Sequence, residues 1–372
     1  MNKNIDEILR KGWVHIFIPE RVIKVKGTPY EQGKQQGEKI ADTIKENVIN
    51  IKQSIAKSNV KEKYYNELFE ENLEFIEKAE PDVYEEMKGI SEGAEVDFND
   101  IAIINIPLYF MLDIFSNECS SILARGSATF DGNTYLIKNR DMRSFTLNQI
   151  VLEREYINGD KIVEVNGAGI LTYPGNGMNK YSLAISTTGV WSKKIPVDIA
   201  DISKTHILIN THFILERCKS VDEAVKFLNN IKRMNGINLL IADRNKAVAV
   251  EATRDKIVIE EDRNGILVRT NHYLSEELRG LNKSPKEYQS TYKRLDRIKS
   301  FLHKKYGNIK FQDMLEIASD HENAPYNCIC RHRYGADESE AKTVSSSLIV
   351  LEDMQVWTAL CNPCEALKLS YV

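Results

Sequence analysis

Residues 20–26 (ERVIKVK) alternate apolar and polar side chains with the period of a β-strand. Gly27-Thr28-Pro29 then opens a helix. Thr28 has an N-cap side chain, and Pro29 suits the first helical position, where a missing N–H costs nothing. That helix carries Gly33 and Gly37 four apart on one face, and two readings stay open for them: close packing against a neighbour, or a face turned to a ligand. Further helices are expected over residues 62–79, 81–92 and 98–115, the last broken at Pro107.

From about residue 119 the pattern changes. Strands are expected over 119–128, 133–138, 149–156, 161–165 and 181–187, with turns at Asp131-Gly132 and Asn158-Gly159. A helical pair follows over 204–218 and 221–233, the second with Ser220 and Glu223 at capping-box spacing. Four strands come next, over 237–242, 247–252, 256–260 and 266–270, joined by short polar connections. A helix over 285–306 behind Ser284, a shorter one over 311–319, and strands over 343–351 and 355–360 complete the pattern. Strands joined by tight turns pair antiparallel, and the helices come in groups instead of alternating with single strands. The order predicts an α+β fold, a four-layer αββα sandwich of two antiparallel sheets with helices covering each outer side.

A length of 372 residues allows one large domain or two coupled ones. Apolar residues at 42% and charged residues at 28% are those of a globular chain with a real core, which excludes intrinsic disorder and fibrous structure. Lys+Arg 50 against Asp+Glu 54 gives a net charge of −4, so no basic excess favours a nucleic-acid partner. The greasiest stretch, 101–115, is interrupted by Asn105, Pro107 and Asp113 and is too short to span a bilayer. The first residues (MNKNIDEILRKGW) lack the apolar core of an export signal, so a cytoplasmic location is expected, with the six cysteines as reduced thiols.

Four constellations could carry chemistry. Cys119 stands in Asn117-Glu118-Cys119-Ser120-Ser121, where helical sequence gives way to a strand. It reads either as a structural thiol or as a nucleophile, and a nucleophile needs a base. No histidine is near it in sequence. Cutting the peptide bond between Glu118 and Cys119 would create a base, an α-amine with an intrinsic pKa of about 7.7–8.0. Lys138-Asn139-Arg140-Asp141 ends the next strand. Asp141 could orient an ammonium at residue 119, or the stretch could be a solvated turn. Asn271, in Thr270-Asn271-His272, could donate to an oxyanion or cap a turn. Cys328 and Cys330, with Cys361 and Cys364, could offer four thiolates to zinc, although a C-x-C pair has poor bite for one ion. Phosphate-loop, dinucleotide, zincin and nucleophile-elbow motifs are missing from the sequence.

Taken in order, these segments resemble the acyl-coenzyme A:6-aminopenicillanic acid acyltransferase-like family of cysteine N-terminal-nucleophile hydrolases. Bile salt hydrolases, penicillin V acylases and acid-ceramidase-like amidases are more distant relatives. Gly27-Thr28-Pro29-Tyr30-Glu31-Gln32-Gly33 with Gly37 is similar to the family's opening, and Cys119-Ser120-Ser121 through Asp131-Gly132, Asn139 and Asp141 to its nucleophile strand pair. Thr270-Asn271-His272 resembles the oxyanion segment, and Asp320-His321-Glu322-Asn323, Cys330-Arg331-His332 and Pro363-Cys364-Glu365 resemble the C-terminal signatures. The resemblance implies a precursor that cuts itself between Glu118 and Cys119 into fragments 1–118 and 119–372, which stay together as one integrated domain. It implies a cysteine amidohydrolase or N-acyltransferase working through an acyl-Cys119 thioester, with the α-amine as base, Asp141 supporting it and Asn271 binding the oxyanion. Ser120, Asn139 and Arg140 would support the site. Substrates would be a small acylated amine or acyl-CoA, with no metal and no other cofactor; the Cys330/Cys364 pair then needs no zinc. Three departures from the family stand out: Glu118 where Gly is common, Lys138 where Arg is common, and no Arg in the last two expected strands, where Lys342 is the nearest basic residue and is carried as a catalytic candidate. The alternative function is a catalytically silent binding or scaffold protein on the same fold.

Overall fold

The computed structural model describes residues 22–106, 108, 117–142, 147–171, 175–193, 211–231, 233, 236–332, 341–365 and 368–371. Strand β1 (Val22–Gly27) alternates as its sequence does, burying Ile23 and Val25 and exposing Lys24 and Lys26. Helix α1 (Pro29–Ala56) starts with a full capping box: Glu31 N donates to Thr28 Oγ1 at 3.2 Å, and Thr28 N donates to the Glu31 carboxylate at 2.8 Å. Helices α2 (Glu62–Ala79), α3 (Pro81–Ala94) and α4 (Phe98–Asn105) follow. The expected continuation of α4 past Pro107 and the start of the expected helix over 204–218 lie outside the described residues.

The sequence leaves two roles open for Gly33 and Gly37, and the structure assigns close packing. They meet Gly89 and Gly93 of α3, and a Cβ on Gly33 would stand 2.2 Å from the Glu86 carbonyl oxygen. One on Gly89 would stand 2.1 Å from that of Tyr30. The two backbones approach so closely that neither helix has room for a side chain at the crossing.

Eight strands form the first sheet, in the order β1, β4 (Gln149–Tyr156), β5 (Lys161–Gly167), β6 (Asn176–Asn179), β7 (Ala184–Gly189), β8 (Ile237–Ala242), β9 (Ala247–Ala252) and β10 (Ile257–Glu261). Six form the second: β11 (Ile266–Arg269), β2 (Asn117–Ala124), β3 (Tyr135–Met142), β12 (Lys342–Val350), β13 (Gln355–Ala359) and β14 (Lys368–Tyr371). All pairings between these strands are antiparallel except one. Strand β1 lies parallel to β4, and the chain between them runs through the helical layer and the β2–β3 ribbon and not through a hairpin. Strand β6 was not expected, since NGMN has no apolar alternation, and β14 also lies beyond the expected strands.

The layers follow from the period of two along the strands. Leu123, Leu136 and Ile349 of the second sheet meet Val163, Leu240 and Ala249 of the first in a core between the sheets. Their neighbours Ile122, Ile137 and Leu348 face outward onto Ile298, Leu302 and Met314 of α7 (Gln289–Lys304) and α8 (Phe311–Ala318). Outside the first sheet, Ile150 and Leu152 of β4 pack under α1, α3 and α4. Ile185, Leu239 and Val250 pack under α5 (Thr211–Arg217) and α6 (Val221–Asn230). This is the expected αββα sandwich. Helix α7 starts four residues after the expected Pro285; Ser284 instead caps a turn, accepting from Glu287 N at 3.4 Å.

A buried ion cluster fastens the first helical layer to its sheet. Arg154 of β4 is bonded to Glu86 of α3 at 2.6 Å, to Glu164 of β5 at 2.7 Å and to Gln32 of α1 at 3.0 Å. Burial would raise the Glu164 carboxyl, but Arg154 and His212 hold it down to about 2.

Candidate active site

Strands β2 and β3 form an antiparallel ribbon in which Glu118 lies opposite Asp141, Cys119 opposite Arg140 and Ser121 opposite Lys138. Side chains directly opposite each other share a face. One face therefore carries Cys119, Ser121, Lys138 and Arg140, and it turns toward the first sheet: Ser121 Oγ lies 2.5 Å from Ser186 Oγ of β7. The other carries Glu118, Ser120, Asn139 and Asp141 and turns toward α7 and α8.

Cys119 is buried, and all six cysteines are free thiols. Its backbone N–H donates to Asn271 Oδ1 at 3.0 Å, and its carbonyl accepts from Arg294 of α7 at 2.6 Å. The guanidinium of Arg294 is wholly buried and also donates to Ser120 Oγ (2.8 Å), Asn271 Oδ1 (2.8 Å) and Glu118 Oε2 (2.9 Å). The same Glu118 oxygen accepts from Ser290 Oγ at 2.9 Å and lies 2.9 Å from Arg331. Burial works against ionisation of Glu118, but Arg331 and Arg294 overcome it and hold the carboxyl down to about 2. The residue on the amino side of the expected cut is thus an anchored anion.

Asn271 is fixed in orientation by its partners. Its Oδ1 takes two donors, while its Nδ2 donates to the Gly189 carbonyl at 2.8 Å. The donor expected for an oxyanion is therefore engaged, and the oxygen end faces the Cys119 nitrogen. The neighbouring His272 stacks on Tyr292 of α7, with ring centroids 4.2 Å apart. Burial and then Arg294 push the imidazole down to about 4, and its Nδ1 meets Thr291 Oγ1 at 2.8 Å.

Asp141 is wholly buried opposite Glu118. One oxygen accepts from Thr343 Oγ1 at 2.7 Å and the other has no hydrogen-bond partner among the described residues. Burial raises its carboxyl to about 6 despite Arg294 and Arg331. Asn139 supports the frame: it donates to the Ala318 and Ile329 carbonyls at 2.8 and 3.1 Å and accepts from Ser346 at 2.7 Å. Arg140 shares the face of Cys119 and bonds Gln149. Lys342 opens β12 opposite Met142, half-buried, and belongs to none of the hydrogen bonds around Cys119 described above.

Lys138 reaches across the space between the sheets, 3.3 Å from the Gly175 carbonyl and 3.4 Å from Thr187 Oγ1. Burial pushes its ammonium down to about 7, with Arg140 adding to the shift and Cys119 opposing it. The hydroxyl of Tyr288 is also buried, without a hydrogen-bond partner among the described residues. Burial and then Glu118 raise it well above the usual phenol range.

Sequence reasoning found the ribbon and Asn271 but missed the roles of Arg294 and Arg331. Both stand beside Glu118, one brought by a helix and one by a loop, where the sequence offered no strand arginine. Only the spacing of Ser290 and Arg294 on one helical face hinted at this, and that spacing is common on any helix.

The sequence profile described as acyl-coenzyme A:6-aminopenicillanic acid acyl-transferase matches residues 129–365, well over half of the chain. The match includes Asp141, Asn271, Arg294 and Arg331 and begins after Cys119. No curated protein matches the chain in sequence. Among solved structures, it is similar to a variant of conjugated bile acid hydrolase from Clostridium perfringens, with 14% identity over 68% of this chain and 97% of that one and a TM-score of 0.44. It is also similar to penicillin V acylase from Agrobacterium tumefaciens, with 16% identity over 65% and 83% of the two chains and a TM-score of 0.40.

Proposed function

This chain belongs to the acyl-coenzyme A:6-aminopenicillanic acid acyl-transferase family, and from that premise we propose that it cuts itself before Cys119 and then transfers acyl groups through an acyl-Cys119 thioester. The observation that carries the reading is the grip on the peptide link to be cut. Asn271 holds the Cys119 N–H, and Arg294 spans the Glu118 carboxylate, the Cys119 carbonyl and Asn271.

In the first step Cys119 Sγ attacks the Glu118 carbonyl carbon. The C–N bond breaks, the thiol proton passes to the new α-amine, and water hydrolyses the thioester, leaving Glu118 as a C-terminal carboxylate. Asn271 Oδ1 then accepts from the free amine as it did from the peptide N–H. Asp141 faces the ribbon's opposite side from the thiol and accepts from Thr343, so it would support the new amine through its charge and not by touching the sulfur. In turnover the amine takes the thiol proton, Sγ forms the acyl thioester, and the amine returns the proton to the leaving group. A small acylated amine, or acyl-CoA as co-substrate, supplies the acyl group; water or an amine accepts it. Asn271 Nδ2 would serve an oxyanion by leaving the Gly189 carbonyl, and Lys342 remains a basic residue at the ribbon's end.

Fragments 1–118 and 119–372 would stay together, because β1 pairs with β4 over six residues and α1–α4 cover the first sheet. Six free thiols suit a cytoplasmic location, and no helix among the described residues is long and apolar enough to cross a membrane. Intact-mass analysis of the purified protein tests the reading. Two fragments meeting at Glu118/Cys119 are expected, and one uncut species for Cys119→Ala. A wild-type chain that stays whole and takes no acyl label on Cys119 would instead favour a silent scaffold on the same fold.

A further inference from the structure

Far along the chain from the nucleophile, four side chains converge at one end of the second sheet. His321 follows α8, Cys330 and His332 precede β12, and Cys364 lies in the turn after β13. Each offers one ligand atom, and the four atoms lie within 4.8 Å of one another. Cys330 Sγ is 3.7 Å from Cys364 Sγ and 3.8 Å from His332 Nε2. Cys364 Sγ is 3.3 Å from His332 Nε2, which is 3.0 Å from His321 Nε2.

These are four of the six edges of a small tetrahedron, and the two from His321 to the thiols lie within 4.8 Å. Zinc binds thiolate at about 2.3 Å and imidazole at about 2.0–2.1 Å, so tetrahedral edges of roughly 3.3 Å (N to N), 3.6 Å (S to N) and 3.8 Å (S to S) follow. The surroundings fit as well. Asn362 Nδ2 donates to Cys330 Sγ at 3.5 Å, an interaction that favours thiolate. Glu365 Oε1 lies 4.0 Å from Nδ1 of His332, on the far side of that ring from the cluster, where a carboxylate orients a ligating imidazole. Cys330 is buried, His332 and Cys364 are half-buried and His321 is exposed, which leaves a path for an ion. The four-thiol set conceivable from sequence does not assemble. The Cys328 thiol donates to the Cys330 carbonyl at 3.1 Å and that of Cys361 to the Asn362 carbonyl at 3.5 Å, while two histidines take their places.

We propose that His321, Cys330, His332 and Cys364 bind one zinc ion in a closed tetrahedral site. Binding releases the two thiol protons and leaves both histidines neutral. Four protein ligands leave no open position, so the ion is structural and takes no part in acyl transfer. Its two central ligands bracket Arg331, whose carbonyl accepts from Thr343 N at 2.9 Å, whose N–H donates to Thr343 Oγ1 at 2.9 Å and whose guanidinium holds Glu118. The metal thus ties the Arg331 segment to the end of the second sheet. The sequence led to the expectation of no metal here; the geometry points the other way.

The test is elemental analysis of the full-length protein purified without chelator, together with zinc X-ray absorption. About one zinc per chain is expected, with two sulfur and two nitrogen neighbours. His321→Ala and Cys364→Ser should each lower zinc content about ten-fold, whereas Cys328→Ser and Cys361→Ser should leave it unchanged. Because His321 is exposed, His321→Ala remains informative even where Cys364→Ser does not fold. A metal-free protein that takes up no added zinc would overturn the proposal. So would a Cys330–Cys364 disulfide, a four-sulfur shell, or zinc lost on replacing Cys328 or Cys361. None of these readouts depends on acyl transfer, so this inference and the proposed function stand or fall separately.

Discussion

On the proposed reading no α-amine exists before the chain is cut, so the thiol of Cys119 needs another proton acceptor. Lys138 shares its inward face two residues along the ribbon, and burial brings its ammonium down to about 7. A lysine is a base only above its pKa, so self-cutting of freshly made precursor should rise with pH through about 7 and then level off. Lys138→Arg fixes the charge and should slow cutting roughly 10²–10⁴-fold with that rise abolished. An unchanged pH profile in this variant would place the base elsewhere. Arg294→Lys keeps one charge but loses the fork that spans Glu118, Cys119 and Asn271. It should remain folded by circular dichroism yet cut at least about ten-fold more slowly, a loss visible in the ratio of whole to cut chain on a gel. At this scale the sequence was legible where chemistry is local. The Asp131-Gly132 turn brings Asp141 back beside residue 118, so Cys119 and Asp141 could be paired by reading along one hairpin. Arg294 could not, since its burial depends on α7 closing over a ribbon 175 residues earlier.

Helix α1 and helix α3 touch through Gly33, Gly37, Gly89 and Gly93, where the backbone of each occupies the space of the other's missing side chains. Gly33→Ala or Gly89→Ala should therefore lower stability by about 1–3 kcal/mol, the usual range for overpacking, although alanine is the better helix former. A thermal melt that rises instead would mean that the helices can part without cost. The glycine spacing was readable, but its meaning was not: four-residue spacing marks a face without saying what it meets. Strand β6 shows the opposite limit. Its residues NGMN carry no pattern, and they are held in the sheet by β5 and β7 on either side. Pattern finds strands that supply their own apolar face and misses those that only fill a gap between neighbours.

Across the whole molecule, buried carboxyls set the response to pH. Glu164 and Glu118 are held at about 2, below their ordinary value, by the buried arginines around them. Each contributes stability that is full above about pH 4.5 and is lost as pH falls toward 2. Asp141 has the opposite sign. Raised to about 6, it favours the folded state below its unfolded value near 3.8, and that contribution is lost as pH rises through 6. In the uncut Cys119→Ala background, Asp141→Asn should thus gain about 1–3 kcal/mol at pH 7 relative to its parent, and little at pH 4. Denaturant melts at the two pH values check this; equal shifts at both would show that Asp141 titrates normally. The four-layer order itself was legible, because strand period and helix grouping are properties of long segments. The parallel seat of β1 was not, since nothing in VIKVKG says which edge it joins.

The anchored glutamate has one more consequence. On the proposed reading, Glu118 once severed from Cys119 would end a chain and carry two carboxylates, one of them still clasped by Arg294 and Arg331. Maturation would then have two stages, scission and withdrawal of a tethered product. Its departure would bare a pair of cations on the helix-facing side of the ribbon, across the backbone from the sulfur, a seat suited to an acid group on an acyl donor. Donors with and without a terminal carboxylate, compared on the cut enzyme, would reveal that preference or its absence.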